Sequence, residues 1–105
     1  MRFQTSGVRI GASSFLELPI QCEEPSELHV TWRVTPDGAA LDFLADFVHL
    51  NGETVLSEST GPALDVTHEL YGEGDCCCTW TNTHLFQPRT LSYTVTLTTT
   101  KRSRR

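Results

Sequence analysis

The sequence lacks any long hydrophobic run. None of its 105 residues belongs to a segment approaching the ~20 apolar residues of a membrane-spanning helix. Residues 1–20 contain no apolar core of the kind found in signal peptides, and Arg9 interrupts the pattern there. We therefore expect a cytoplasmic protein whose four cysteines are thiols rather than disulfides.

The sequence also has few helix formers and few bases. Long runs of alanine, leucine, glutamate and lysine are absent, whereas threonine and serine are abundant, and this composition disfavours helices. Before residue 101 the only bases are Arg2, Arg9, Arg33 and Arg89, against 13 acidic residues. Because an acidic body repels phosphate, we expect no nucleic-acid partner.

Motifs of known catalytic sites are absent as well. The sequence contains no glycine-rich phosphate loop, no nucleophile elbow and no His-Glu-x-x-His motif. Asp42 and Asp46 would share a strand face, but about 13 Å apart at ~3.3 Å per residue, which is too far for one calcium ion. We predict that the protein is not an enzyme and needs no cofactor.

What the sequence does contain is an alternation of apolar and polar residues, which is the pattern of half-buried strands. The alternating segments are 16–20, 28–34, 41–50, 64–70, 76–80 and 91–97. Asn51-Gly52 is the preferred dipeptide of a tight hairpin and leads into a further strand at 53–57. Pro19 inside its pattern indicates an edge or bulged strand.

These strands and turns predict an all-β fold. Turns recur about every 8–12 residues, which is typical of sandwiches and barrels. We predict an antiparallel β-sandwich of seven or eight strands, jelly-roll-like, formed by residues 1–100 as one domain.

Three consecutive cysteines are the strongest chemical feature. On a strand, Cys76 and Cys78 share one side, and we expect them to pack in the core as small hydrophobic residues. The alternative is a zinc or redox-sensing site that adds His68 and perhaps His84 as ligands. Zinc ligands usually come as C-x2–4-C pairs in loops, so the spacing favours packing, and we predict no metal site. Cys77 faces the other side, with no base near it in sequence to activate the thiol.

The remaining histidines follow from their strand positions. His68 lies on an apolar face and is expected to be partly buried and hydrogen-bonded. His29 lies on a polar face and is expected to be exposed. His49 ends a strand beside the Asn-Gly turn and has no evident partner.

Landmarks across the chain resemble a known family. Trp32 lies in the segment 28–34, and 41–47 has the form apolar-x-Phe-x-apolar-x-Phe. Gly74 then precedes the segment that ends in Trp80, and Asn82 and a loop lead to the last strand. Over residues 8–98 this order resembles the GOLD (Golgi dynamics) domain family, and it places Trp32 in the core.

The resemblance implies a compact β-sandwich that serves adaptor, cargo-recognition or lipid-transfer proteins. We therefore expect a non-catalytic protein-interaction (adaptor) domain in membrane traffic, Golgi organisation or lipid transfer. Its partner would be a protein of the membrane-traffic machinery. Its place would be the cytoplasm, peripherally at Golgi or endosomal membranes.

The predicted interaction surfaces are the loops at 36–40, 59–63 and 83–90, because sandwiches hold variable loops at their ends. In the last loop, two adjacent apolar residues indicate a contact site. The predicted partner-binding residues are His84, Leu85, Phe86 and Arg89.

The chain ends in a basic tail, residues 101–105, which we expect to be disordered. Its bases are Lys101, Arg102, Arg104 and Arg105. Each base near anionic headgroups contributes ~1 kcal/mol. An alternative function is therefore a peripheral membrane or lipid-binding module that uses this tail and the 83–90 loop on an anionic membrane surface.

Overall fold

The computed structural model describes residues 1–49 and 51–100, and these residues form eight β-strands and no helix. No described residue therefore belongs to a helix long and apolar enough to cross a membrane. The strands are, in chain order, β1 (Arg2–Ile10), β2 (Phe15–Cys22), β3 (Ser26–Thr35), β4 (Leu41–His49), β5 (Gly52–Gly61), β6 (Ala63–Leu70), β7 (Gly74–Thr81) and β8 (Arg89–Thr99).

The strands form two antiparallel four-stranded sheets packed as a sandwich. Sheet A has the order β1-β8-β3-β6, and sheet B has the order β2-β7-β4-β5. Successive strands alternate between the sheets except for the β4–β5 hairpin, which is the connectivity of a jelly roll. The predicted jelly-roll-like sandwich is confirmed.

The sandwich has two distinct ends. We call the end that holds residues 11–14, 36–40, 62 and 82–88 the loop end. The opposite, terminal end holds the turns at 23–25 and 71–73 and both ends of the described chain. There the Leu97 backbone N donates to the Met1 carbonyl at 2.8 Å, and the Thr100 N donates to the Pro25 carbonyl at 3.0 Å.

The core forms where the alternating apolar residues of the two sheets meet. All four inward residues of the 28–34 segment and all four of the 41–47 segment are buried, including Trp32 at 3% exposure. Four rings cross the centre: Trp32 packs on Phe43 at 5.7 Å, Phe43 on Trp80 at 5.3 Å, and Trp80 stacks on Tyr93 at 4.9 Å between centroids. Such pairs contribute ~0.5–1.5 kcal/mol each beyond their buried area.

β5 is longer than its predicted extent. It runs to Gly61, so the predicted 59–63 loop is wrong, and only Pro62 separates β5 from β6. Thr60 pairs with Asp42 on β4, and its hydroxyl donates to the Asp42 carboxylate at 2.7 Å. The turn residues Ser59-Thr60-Gly61-Pro62 therefore mark only the point where the chain crosses from sheet B to sheet A. Pro19 lies on β2, an edge strand of sheet B, as predicted.

β1 was not assigned from the sequence, because a bulge breaks its alternation. The register with β8 shifts between Ser6 and Val8, and the extra residue, Gly7, has φ of 140°. Glycine adopts this conformation without the steric cost that a side chain would add. Phe3 and Thr5 precede the shift and Val8 and Ile10 follow it, so the inward positions lose their even spacing.

Two histidine predictions need correction. His49 does have partners: its Nδ1 accepts from the Asn51 backbone N at 3.3 Å, and its Nε2 lies 3.5 Å from the Thr54 hydroxyl. His68 is half-buried as predicted, but its buried Nε2 has no hydrogen-bond partner in the described part of the chain. Burial lowers the pKa of His68, because it disfavours the charged imidazolium. His29 is half-exposed and pairs with Asp65 at 2.8 Å.

The central rings generate a direct stability test. Trp32→Ala removes an indole that is buried against Phe43 and leaves a cavity. We expect a loss of about 3–5 kcal/mol in the free energy of unfolding, measured by chemical denaturation. Phe15→Ala, at a side chain that is 60% exposed, is the matched control and should change the free energy far less. Equal losses in the two variants would contradict a core organised around the rings.

Candidate interaction site at the loop end

A buried asparagine ties two loops together at the loop end. Asn82 follows β7 and is 1% exposed. Its side-chain Nδ2 donates to the carbonyls of Ile10, Gly11 and Gln87 at 3.2, 3.1 and 2.9 Å. Its Oδ1 accepts from the His84 backbone N at 3.0 Å. One amide thus fixes the 82–88 loop to the end of β1, far away in the sequence.

His84 adds the second set of bonds inside this loop. Its ring Nδ1 accepts from the backbone N of Phe86 and of Gln87, each at 3.1 Å. Its carbonyl accepts from the Ser13 backbone N at 3.0 Å, and the Asn82 N donates to the Ser14 carbonyl at 2.8 Å. The backbone on both sides of the loop is therefore held by hydrogen bonds rather than by packing.

The same loop exposes two large apolar side chains. Leu85 is 70% exposed and Phe86 is 83% exposed. The only ring that contacts Phe86 among the described residues is His84, edge-on at 6.4 Å. Phe15, which follows the 11–14 loop, is a further exposed aromatic residue at this end. We call Leu85 and Phe86 the apolar tip.

Arg89 lies beside the tip but plays a different part. It begins β8 and is half-buried, so the predicted 83–90 loop ends at residue 88. Its guanidinium NH1 donates to the Gln87 side-chain oxygen and to the Pro88 carbonyl, both at 3.3 Å. Of the predicted residues, the structure thus brings His84, Leu85, Phe86 and Arg89 together; His84, Leu85 and Phe86 are exposed, and Arg89 is half-buried.

The predicted membrane-contact residues, Lys101, Arg102, Arg104 and Arg105, lie outside the described residues. Thr100, which precedes them, lies at the terminal end. The 11 residues of β8 separate it from the 82–88 loop, which is about 35 Å at ~3.3 Å per residue. The 82–88 loop and Thr100 therefore lie at opposite ends of the sandwich.

The cysteines pack as predicted. Cys76 and Cys78 are 1% and 0% exposed in the core. A hydrogen bond to the Cys76 sulfur, together with burial, raises the pKa of the Cys78 thiol. Burial also raises the pKa of Cys77, which faces outward beside Thr79. A raised pKa lowers the thiolate fraction and so disfavours nucleophilic chemistry.

The zinc alternative would have needed several ligands in one place. Cys76 and Cys78 belong to sheet B, His68 belongs to β6 of sheet A, and His84 lies in the loop end. Among residues 1–49 and 51–100, no group of three or more histidine, cysteine or acidic side chains could hold a metal ion.

Charge is divided between the two sheets. The described bases, Arg2, Arg9, Arg33 and Arg89, all lie on strands of sheet A. Among the described residues, the outer face of sheet B carries only acidic charges, namely Glu17, Asp42, Asp46, Glu53, Glu58 and Asp75. A hydrogen bond to Asp46 and its negative charge raise the pKa of Glu53. This face therefore repels anionic surfaces and attracts basic partners.

No protein-family model matches this chain, and comparison with curated proteins finds no match. The loop-end site accordingly stands on its own geometry. Sequence reasoning identified the apolar tip but treated Asn82 only as a landmark of the family resemblance. A lone asparagine after a strand is usually read as a turn residue, and nothing in the local sequence shows that its amide reaches Ile10 and Gly11.

The Asn82 bonds give a stability prediction for the site. Asn82→Asp keeps the size of the side chain but removes its donors and puts a charge against three carbonyls. We expect a loss on the order of 2–4 kcal/mol in unfolding free energy at neutral pH. Asn51→Asp, at an exposed turn position, is the control and should be nearly neutral. An Asn82→Asp protein as stable as the control would show that the hydrogen bonds of the Asn82 side chain contribute nothing to the free energy of unfolding.

The Asp46–Glu53 contact gives a pH prediction. The pKa of Glu53 in the folded protein lies above its ordinary value of 4.5, so ionisation of Glu53 opposes folding. The contact of protonated Glu53 with Asp46 therefore stabilises the fold below pH 4.5. This stabilisation is lost as the pH rises through the pKa that Glu53 has in the folded protein. Glu53→Gln should therefore be more stable than wild type at pH 7, with a difference that shrinks toward pH 4. Thermal unfolding across this range measures the difference.

Glu58→Gln is the control for that measurement. Glu58 lies on the same strand with Leu44 as its register partner on β4, whereas Glu53, opposite Val48, is the residue whose side chain bonds to Asp46. A gain for Glu58→Gln with the same pH dependence would assign the effect to the general charge of the face rather than to the Asp46–Glu53 contact.

Proposed function

We propose that this protein is a non-catalytic interaction domain that binds a partner protein through its apolar tip. The observation that carries the proposal is the contrast between backbone and side chains in the 82–88 loop. The backbone is tied by Asn82 and His84, while Leu85 and Phe86 remain exposed. A loop already held in place loses little conformational entropy on binding, so its apolar contacts contribute more fully to affinity.

The resemblance to GOLD domains supports the wider role that we propose. A compact β-sandwich is the fold that the resemblance implies, and the landmark residues of the resemblance occupy central positions. Trp32 and Trp80 belong to the four rings at the centre of the core, and Asn82 bonds the 82–88 loop to the end of β1. We propose that the domain acts as an adaptor in membrane traffic, Golgi organisation or lipid transfer. It would do so in the cytoplasm, peripherally at Golgi or endosomal membranes, with a protein of the traffic machinery as its partner.

Three observations favour a protein over a membrane as the partner of the tip. Arg89, the nearest base, is bonded to Gln87 and Pro88 rather than directed to solvent. Thr100, the last described residue, lies at the other end of β8. The outer face of sheet B is acidic, which opposes approach to an anionic bilayer. The membrane alternative uses the tail and the tip together, whereas the described chain ends at the end of the sandwich opposite the tip.

The tip is tested by a double substitution. Leu85→Ser with Phe86→Ser removes the exposed apolar groups but keeps the hydrogen bonds of Asn82 and His84, which use backbone groups of the loop, so the fold should keep its unfolding temperature. We expect the proteins captured from a cytosolic extract by the wild-type domain to be lost by this variant. Val55→Ser, at a strand residue that is 56% exposed near the terminal end, is the control and should keep them. Identical capture by all three proteins would refute the tip as the binding site.

Flotation with anionic liposomes separates this proposal from the membrane alternative. We expect no flotation of the full chain at physiological salt. Flotation that disappears both in the tip variant and on deletion of residues 101–105 would instead establish the membrane-binding module.

A further inference from the structure

A groove lies at the terminal end, opposite the apolar tip, and is a second candidate site. It is a groove of about 660 Å³ between the β4–β5 hairpin and the β6–β7 turn. Its walls come from Phe47, His49 and Leu56 on one side and from Glu69, Tyr71 and Glu73 on the other. This volume falls within the ~300–1,000 Å³ range of ligand sites.

The first wall is held in place by its neighbours. Phe47 is 6% exposed, and a Cβ on Gly74 would come within 2.8 Å of its ring, so glycine is required for this close packing. The His49 ring packs on Phe47 at 5.5 Å, and Asn51 and Thr54 hold its two nitrogens. An apolar and aromatic surface is thus already formed in the unliganded protein.

The second wall combines an aromatic ring with carboxylates. Tyr71 is 81% exposed, and its hydroxyl donates to the Glu69 carboxylate at 2.6 Å. The buried thiol of Cys22 lies 3.4 Å from the Gly72 carbonyl and so ties the turn to β2. The carboxylate of Glu73 has no ion-pair partner among the described residues. The groove therefore offers negative charge beside an accessible ring face.

No described base competes for this charge. Arg9, Arg33 and Arg89 lie toward the loop end, and Arg2 lies on β1, at the opposite edge of sheet A from β6. A ligand that fits must therefore bring its own cation together with an apolar stem. Arginine has both, and its weakly hydrated planar guanidinium stacks on aromatic rings and bonds to carboxylates more readily than an ammonium does.

We propose that this groove binds an arginine side chain of a partner protein. The aliphatic stem lies along Phe47 and Leu56, and the guanidinium lies against Tyr71 between the carboxylates of Glu69 and Glu73. The site is separate from the apolar tip, so the domain has one recognition site at each end. An adaptor with this arrangement engages two protein segments at once.

The test follows amide chemical shifts of the full chain during titration with a short glycine–serine peptide that carries one central arginine. We expect saturable shifts at Thr54, Tyr71, Gly72 and Glu73. Substitution of both Glu69→Gln and Glu73→Gln should weaken binding about tenfold. Both side chains are exposed, so the variant should fold normally. Glu58→Gln, outside the groove, is the matched control and should bind like the wild type.

Ligand variants decide what the groove recognises. The same peptide with citrulline keeps the shape of arginine without its charge and should bind at least about tenfold more weakly. Equal affinity for citrulline would overturn charge recognition. Equal affinity for choline would identify a small quaternary-ammonium site and overturn the protein partner. Binding that appears only after deletion of residues 101–105 would assign the groove to the chain's own basic end, which also overturns the proposal.

Discussion

The contact between the two sheets through four aromatic rings is the constraint on which the other features depend. Trp32 and Tyr93 are paired neighbours in sheet A, and Phe43 and Trp80 are paired neighbours in sheet B. Ring contacts between the sheets then close the set. These rings fill the centre of the interior, and features of both ends arise from the strands that carry them. Asn82 lies two residues beyond Trp80, and Phe47 lies on the same face of β4 as Phe43.

The interior of the sandwich is closed differently at its two ends. At the loop end the interior closes with a buried amide, whose donors and acceptor are all satisfied by backbone groups. A buried polar group with full partners specifies one loop geometry, because any other geometry leaves those groups unpaired. At the terminal end the interior stays partly open, and Phe47 forms part of one wall of a groove. Rigidity at one end and a cavity at the other are both suited to recognition.

The charge distribution suits the two ends to different ligands. The apolar tip adjoins the end of sheet A that carries most of the described bases, and the contacts that we propose for it are hydrophobic. The groove adjoins acidic residues, including Glu69, Glu73 and Asp75, so the contacts that we propose for it are electrostatic and would depend on salt. The two proposed sites are therefore chemically independent. Each therefore has its own variants and its own control.

The sequence by itself determined the fold class, the core and the apolar tip. Alternation along 28–34 and 41–47 has a period of two, and this period is local, so Trp32, Phe43 and the inward cysteines could be assigned without a structure. The apolar tip could also be assigned from the local sequence, since two adjacent apolar residues in a polar loop stand out. β1 and the full length of β5 were missed for local reasons too, because a bulge at Gly7 hides the alternation and Gly-Pro mimics a longer loop.

Only the tertiary structure decided which distant groups meet. The Asn82 amide reaches Ile10, 72 residues away, and the Cys22 thiol reaches the Gly72 carbonyl, 50 residues away. The groove joins β4 and β5 to the β6–β7 turn, and the segregation of bases onto sheet A follows from strand order alone. These features depend on which strands pair, and pairing is set by packing over the whole sandwich. No short segment of the sequence shows by itself which strands will pair.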